Sequence, residues 1–335
     1  RPRLFSERHR DGKTHLQTLH NPAMIADLFE SIHSFPDPDA LDRYQRLVGL
    51  DEVKERLERE AEAILRADLL DEWSKTFHGQ RIPALEAFER RPPLFIFAGD
   101  VGTGKTELAM TFGDRIARET RIEVEMYSLS LRSRGSGAVG EMTKLVSEAF
   151  RIVKEKCPKR PSPGKKPSGA MLLVIDEADS LAQSRELAQM HHEDRAGVNA
   201  LIRGIDELAS SKLPVLTVMC TNRLSALDPA VRRRAAAVFE FARPGVELCI
   251  KLLEQNFAGT SISIKDIAKL ADELGPTKAR EFGFTFSDIT QRFVPAVVLA
   301  AYPNSALTFE VAAAVLSKTH PTPPFREEGV SHVMR

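Results

Sequence analysis

Apolar residues along this chain follow two rhythms, and the rhythm changes near residue 246. Before it, short apolar runs alternate with amphipathic stripes. Residues 94–98, 171–175 and 215–220 are continuously or almost continuously apolar, as strands covered on both faces are. Residues 122–127 alternate in part and 238–241 form a short run, which predicts two further strands. Between them, apolar positions recur at helical spacing. One stripe is Leu108, Phe112 and Ile116; a second is Met142, Leu145, Val146, Ala149, Phe150 and Val153; a third is Val198, Leu201, Ile202 and Ile205. An earlier helix carries Val53, Leu57, Ala61 and Leu65 on one side, and a short one covers residues 84–88. Strands alternating with helices predict an α/β fold: a three-layer sandwich around a parallel five-stranded sheet.

From residue 246 the pattern is helical only. Leu248, Leu252 and Leu253 stripe one helix, and Ile264, Ile267, Ala268 and Ala271 a second. Ser287-Asp288 starts a third with Ile289, Phe293 and Val297 inward; Thr308 starts a fourth with Val311 and Val315 inward. This predicts a small all-α lid. The division is then a polar leader over 1–43, a large α/β domain over 44–244, a helical lid over 245–320 and a disordered tail over 321–335. The leader has a helical patch at 24–32 and a break at Phe35-Pro36-Asp37-Pro38. It reads equally as an arm that docks on a neighbour and as a loosely ordered lead-in.

Composition narrows the class. The 335 residues suffice for two domains. Basic and acidic residues balance at 47 each, which gives no global argument for nucleic acid. Residues 156–170 carry five positive charges but no aromatic side chain on which a base could stack, so they read as a solvated insertion. Cys157, Cys220 and Cys249 lie far apart without zinc or redox spacing, which suits a reducing cytoplasm. No run is long enough to span a membrane and no signal peptide is visible. The chain opens Arg1-Pro2-Arg3 without Met, so a preceding piece is expected.

The candidate chemistry starts at Gly99-Asp100-Val101-Gly102-Thr103-Gly104-Lys105-Thr106, a phosphate-loop pattern set between a strand and a helix. A helix start offers unpaired N–H groups and the positive end of the helix dipole. Gly102 and Gly104 let the backbone curl around an anion, Lys105 can reach β- and γ-phosphates, and the Thr106 hydroxyl can hold Mg²⁺. Val48 and Gly49, on the chain leading to this loop, can wrap an adenine ring. The run ending Asp176-Glu177 places two carboxylates at a strand tip, where ligands of open parallel sheets bind. Asp176 can hold Mg²⁺ directly or through water, and Glu177 can polarise an attacking water. Asn222 at the tip of 215–220 is either a hydrogen-bond donor to water or γ-phosphate, or a turn residue. Arg232, Arg233 and Arg234 fan around a helix opened by Asp228-Pro229-Ala230, so at least one points away from its own core. His191-His192-Glu193-Asp194 is no metal cluster, because neighbours on a helix point about 100° apart.

Taken together these residues resemble the AAA+ ATPases over about residues 44–318. The resemblance matches Lys105 and Thr106 to Walker A, Asp176 and Glu177 to Walker B, Asn222 to sensor 1, and Arg233 and Arg234 to the arginine fingers. It implies ATP and Mg²⁺ as ligands, and a homo-oligomer, usually a six-membered ring, with nucleotide at each interface. Ser128-Leu129-Ser130-Leu131, Lys144-Leu145-Val146, Val198-Asn199-Ala200 and Ile205-Asp206 resemble the pachytene-checkpoint remodellers, the thyroid-receptor-interacting type. That group unfolds part of HORMA-domain proteins, and its bacterial members do so in anti-phage operons of the CBASS type. Two positions depart. Ala138 stands where the pore aromatic is expected, leaving Val139 or a weaker grip. Ser287 stands at the lid's sensor 2 arginine, and Arg292 is the nearest replacement. The expectation is an ATP-driven protein remodeller. A nucleic-acid-dependent motor or loader and a non-catalytic nucleotide switch remain as alternatives.

Overall fold

A computed structural model of the chain describes residues 28–130, 141–159, 165–180, 192–278 and 280–324. The sheet is built from β1 (Ser31–Phe35), β2 (Leu94–Gly99), β3 (Glu123–Ser130), β4 (Gly169–Asp176), β5 (Val215–Thr221) and β6 (Ala237–Phe241). Their order is β1-β3-β4-β5-β2-β6. All neighbouring pairs are parallel except β1–β3.

The period of two decides which side each strand residue serves. Leu94, Ile96, Leu173 and Ile175 enter one apolar layer with Val146, Phe150, Leu201 and Ile205. Phe95, Phe97, Leu172 and Val174 enter the opposite layer with Leu57, Ala61, Leu108 and Phe112. Both faces are covered by helices, which is why the strands read as unbroken apolar runs. The covering helices are α1 (Pro38–Arg46), α2 (Asp51–Leu65), α5 (Lys105–Thr120), α6 (Glu141–Lys156) and α7 (His192–Ser211), while α3 (Ala67–His78) packs beside α2 and α4 (Ala84–Glu89) beside α3. A short α8 (Pro229–Arg232) precedes β6. Asp228 caps α8, accepting from the Ala230 N–H at 2.7 Å.

The five parallel strands are as expected, and the sheet has a sixth. Residues 31–35 form an antiparallel edge strand, so the predicted helical patch at 24–32 ends in β structure; residues 24–27 lie outside the described residues. Side chains beyond this segment hold it. A Cβ on Gly113 would come within 2.6 Å of the Phe35 ring, so glycine there admits the strand's last residue. The Asp37 N–H donates to the buried Asp114 carboxylate at 2.6 Å, which also accepts from Arg118 at 2.7 Å. Arg43 grips Glu107 in a two-pronged ion pair at 2.7 and 3.0 Å. All three anchors lie on α5, the helix that follows the phosphate loop.

The lid comprises α9 (Val246–Asn256), α10 (Ile264–Leu274), a wide turn over Asp288–Phe293 continuing into α11 (Val294–Ala301), and α12 (Phe309–Leu316). Its core joins Cys249, Leu252, Leu253, Ile267, Leu270, Ala271, Ile289, Phe293 and Val297. Two stripes sit differently from expectation. Ile264 is 73% exposed, and Leu270 and Leu274 face inward instead. On α12 the deepest residues are Ala312 and Leu316, with Val311 and Val315 half-buried beside them.

The start of the predicted tail is ordered. The buried Asp288 carboxylate accepts from the Thr322 N–H at 2.9 Å and the Thr322 hydroxyl at 2.7 Å. It also accepts from the Thr285 N–H at 3.0 Å and Arg292 at 2.8 Å. Burial alone would raise its pKa, but these donors outweigh it and hold the carboxyl below its ordinary value. A depressed carboxylate stabilises the fold above its unfolded-state pKa and loses that contribution as pH falls through the folded one. Asp288→Asn is therefore expected to cost about 1–3 kcal/mol at pH 7. Thermal unfolding at pH 7 and below pH 4 checks this, with the gap to the unmodified chain shrinking in acid.

All three cysteines are free and buried. Burial pushes the Cys157 thiol up to about 12 and Cys249 to about 11, which leaves little nucleophilic thiolate. Among the described residues no helix is long and apolar enough to cross a membrane.

Candidate active site

The carboxyl ends of β2, β4 and β5 open into one cleft of about 1100 Å³. Its floor is the loop between β2 and α5. Gly102 (φ +76°) and Gly104 (φ +93°) hold backbone conformations that L side chains rarely adopt. The loop is also pinned from within. The Thr103 hydroxyl donates to the Asp100 carbonyl at 2.8 Å. The Lys105 ammonium donates to the Gly99 carbonyl at 2.8 Å and to that of Asp100 at 2.7 Å. Burial lowers the Lys105 pKa, while neighbouring acidic groups, Asp176 among them, act in the opposite sense. Lys105 and Thr106 line the cleft at the start of a 16-residue helix. This cradle of amides, helix dipole and ammonium fits a polyphosphate anion.

β4 brings the carboxylates. Asp176 ends the strand, and its Oδ1 accepts the Glu177 N–H at 2.8 Å. Glu177 has φ +55°, rare for a non-glycine residue and the mark of a side chain aimed by a strained turn. Both line the cleft, as does Asn222 just beyond β5. One acid here is absent from the sequence reading. Asp179, in the short turn Ala178–Ser180, accepts from the Asn222 N–H and the Thr221 hydroxyl, each at 3.3 Å. It ties the tips of β4 and β5 together, which sets Asn222 relative to Glu177. Its only sequence signal is a further acid after Asp176-Glu177.

The walls come from α1 and the lid. Asp42, Arg43, Gln45, Arg46 and Leu47 line one side, and Leu252, Gln255 and Asn256 another. Val48 and Gly49 sit at the joint between the large domain and the lid. Val48 packs against the lid core, and a Cβ on Gly49 (φ +76°) would meet Leu248 at 2.6 Å. Phe286, Ser287, Thr290 and Gln291 close the cleft from the lid. The Ser287 N–H donates to the Gly102 carbonyl at 3.1 Å, so the lid touches the loop through its backbone where a sensor arginine was expected. Arg292 is held by Asp288 and Thr322.

The two finger candidates differ. Arg234 folds back on its own chain, with Nε and Nη2 donating to the two Asp206 oxygens at 2.7 and 2.9 Å and Nη1 to the Ala230 carbonyl at 3.0 Å. Arg233 is exposed and has no ion-pair partner among the described residues. The loop with Ala138 and Val139 and the residue His191 lie outside the described residues.

Comparison with known proteins places this geometry. The profile of the ATPase family associated with various cellular activities (AAA) matches residues 95–243. The chain is 50% identical to CD-NTase-associated protein 6 of Escherichia coli strain MS 115-1 over 301 residues, covering 90% of this chain and 97% of that protein. It superposes on a chain of the E. coli MS115-1 HORMA:CdnC:Trip13 complex with a TM-score of 0.83 and 49% identity, over 90% of this chain and 99% of that one. It superposes on Rhizobiales Trip13 with a TM-score of 0.67 and 38% identity, over 88% and 100%.

Proposed function

The chain belongs to the AAA family of ATPases, and from that premise we propose that it assembles into a ring and uses ATP hydrolysis to remodel a folded protein. We take that protein to be a HORMA-domain protein of a bacterial anti-phage signalling system. The observation that carries the hydrolytic part is the convergence of the glycine loop, Lys105, the Asp176–Glu177 tip and Asn222 on one lid-covered cleft.

The steps follow from these side chains. Backbone amides of residues 102–106 and the Lys105 ammonium bind the phosphates and offset their charge. Thr106 and Asp176 are the residues that would hold Mg²⁺, which when bound spreads the negative charge of the β- and γ-oxygens. Glu177 accepts a proton from the attacking water, and Asn222 orients that water. Arg233 is free to reach a neighbouring subunit's phosphates, where a guanidinium offsets charge as the terminal phosphoryl group departs. Arg234, committed to Asp206, holds the segment that presents it. Six subunits, as the family usually has, would put one such shared site at each interface.

The substrate class rests on likeness to a chain found in a HORMA-containing complex. The test is the ATPase rate of the full chain alone, with the HORMA-domain protein of the E. coli MS115-1 complex, with unrelated folded proteins, and with DNA or RNA. Stimulation of several-fold by the HORMA protein alone is expected. Stimulation by nucleic acid with a steep salt dependence would favour the motor reading instead, and no response to any protein would overturn the remodelling.

A further inference from the structure

Arg243 lies two residues beyond the end of β6, and nothing in its Arg243-Pro244-Gly245 context suggests more than a domain boundary. In the fold it is a junction of three segments. Its Nε donates to the Asp100 carboxylate of the phosphate loop at 2.8 Å. Its Nη1 donates to the Gly283 carbonyl of the lid at 2.7 Å and to the Thr322 carbonyl of the C-terminal segment at 2.8 Å. The guanidinium lies over the Phe282 ring, 5.1 Å from its centroid. The side chain is only 12% exposed. The β6 end and the loop start are also in close contact, since a Cβ on Gly99 would fall 2.1 Å from the Phe241 carbonyl oxygen.

We propose that Arg243 is a positioning residue through which the lid and the C-terminal segment set the phosphate loop for nucleotide. The chain of contacts is continuous. Gly283 and Thr322 fix the guanidinium, and the guanidinium fixes Asp100. The Asp100 carbonyl in turn accepts from the Lys105 ammonium and the Thr103 hydroxyl. A second tie runs parallel to it, where the Ser287 N–H meets the Gly102 carbonyl. A Cβ on Gly102 would meet Thr285 Oγ1 at 2.7 Å and Ser287 Cβ at 2.8 Å, so lid and loop are already in contact there. With Ser287 at the expected arginine position and Arg292 held by Asp288, the lid acts on the loop from behind, through Asp100, and not on the terminal phosphate. A planar fork that serves three segments at once is a task for arginine; a lysine can donate to fewer of them in fixed geometry.

This rests on the ATP-binding reading above, and its test separates the two. Equilibrium binding of a fluorescent ATP analogue with Mg²⁺ is measured on the full chain and on Arg243→Ala, Asp100→Ala, the double variant and Arg243→Lys. KM and kcat for ATP follow on the same set, with melting temperatures recorded without nucleotide. Each single alanine variant is expected to weaken binding and raise KM about tenfold, with kcat changed far less. The double variant should be no weaker than the worse single one, because both break one coupling. Arg243→Lys should regain part of the affinity, and it carries the comparison if an alanine variant fails to fold. Multiplying effects in the double variant, or Arg243→Ala binding like the unmodified chain, would overturn the coupling while leaving ATP binding intact. Failure of the unmodified chain to bind the analogue would instead remove the ATP-binding reading, and this inference with it.

Discussion

Glu177→Gln is expected to bind ATP as the unmodified chain does while turnover falls about 10²- to 10⁴-fold, the range for losing a general base. The amide keeps the size of the side chain and the backbone turn at φ +55°, so the cleft is unaltered. What disappears is the carboxylate that takes the proton from water. Asp176, whose oxygen accepts the Glu177 N–H at 2.8 Å, remains in place. Single-turnover hydrolysis and nucleotide binding, measured side by side, check the split. The same variant separates a motor from a nucleotide switch: a motor stalls with ATP and its protein substrate trapped, whereas a switch keeps working. Turnover within tenfold of the unmodified chain would remove Glu177 from its role.

Arg233→Ala is expected to lower turnover further, by about 10³- to 10⁵-fold, the contribution of an arginine supplied across an interface. Loss of this size needs a guanidinium that is free of its own subunit, and the neighbouring Arg234 supplies the contrast. Arg234 spends three donors on Asp206 and Ala230. Arg234→Ala should therefore act mainly through the local fold, lowering the melting temperature and with it the presentation of Arg233. Asp206→Ala should reproduce that melting shift, and Arg233→Ala should not. Steady-state ATPase rates with melting temperatures on the three variants decide the assignment. A larger turnover loss in Arg234→Ala at unchanged melting temperature would exchange the two roles.

Much of the site was legible because its chemistry is local in sequence. The loop at 99–106 and the Asp176-Glu177 pair each lie within a few residues, and the flanking apolar runs place them at strand ends. The sheet's sixth strand was not legible because five residues on an edge carry little pattern of their own. What holds them is distant: the antiparallel ladder with β3 and the space at Gly113 take the strand itself, while the Asp114 carboxylate and the Arg43–Glu107 pair anchor the chain just after it. In the lid, Ile264 falls outside the buried stripe, and Val311 and Val315 pack against the core but lie one position from its deepest residues, Ala312 and Leu316. On short helices several apolar residues compete for the inner face, and packing chooses among them. Asp179, Arg243 and Thr322 carry no motif. Each becomes meaningful only where the fold sets it against Asn222, Asp100 or Asp288.

The shared pocket is tested most directly by mixing two inactive variants. Lys105→Ala lacks the phosphate ammonium but keeps Arg233, and Arg233→Ala keeps the ammonium. In a random mixed ring about a quarter of the interfaces join an intact loop to an intact arginine of the neighbour, so ATP turnover should return to roughly that fraction. A mixture no more active than its two components alone would contradict a site completed by the adjacent subunit.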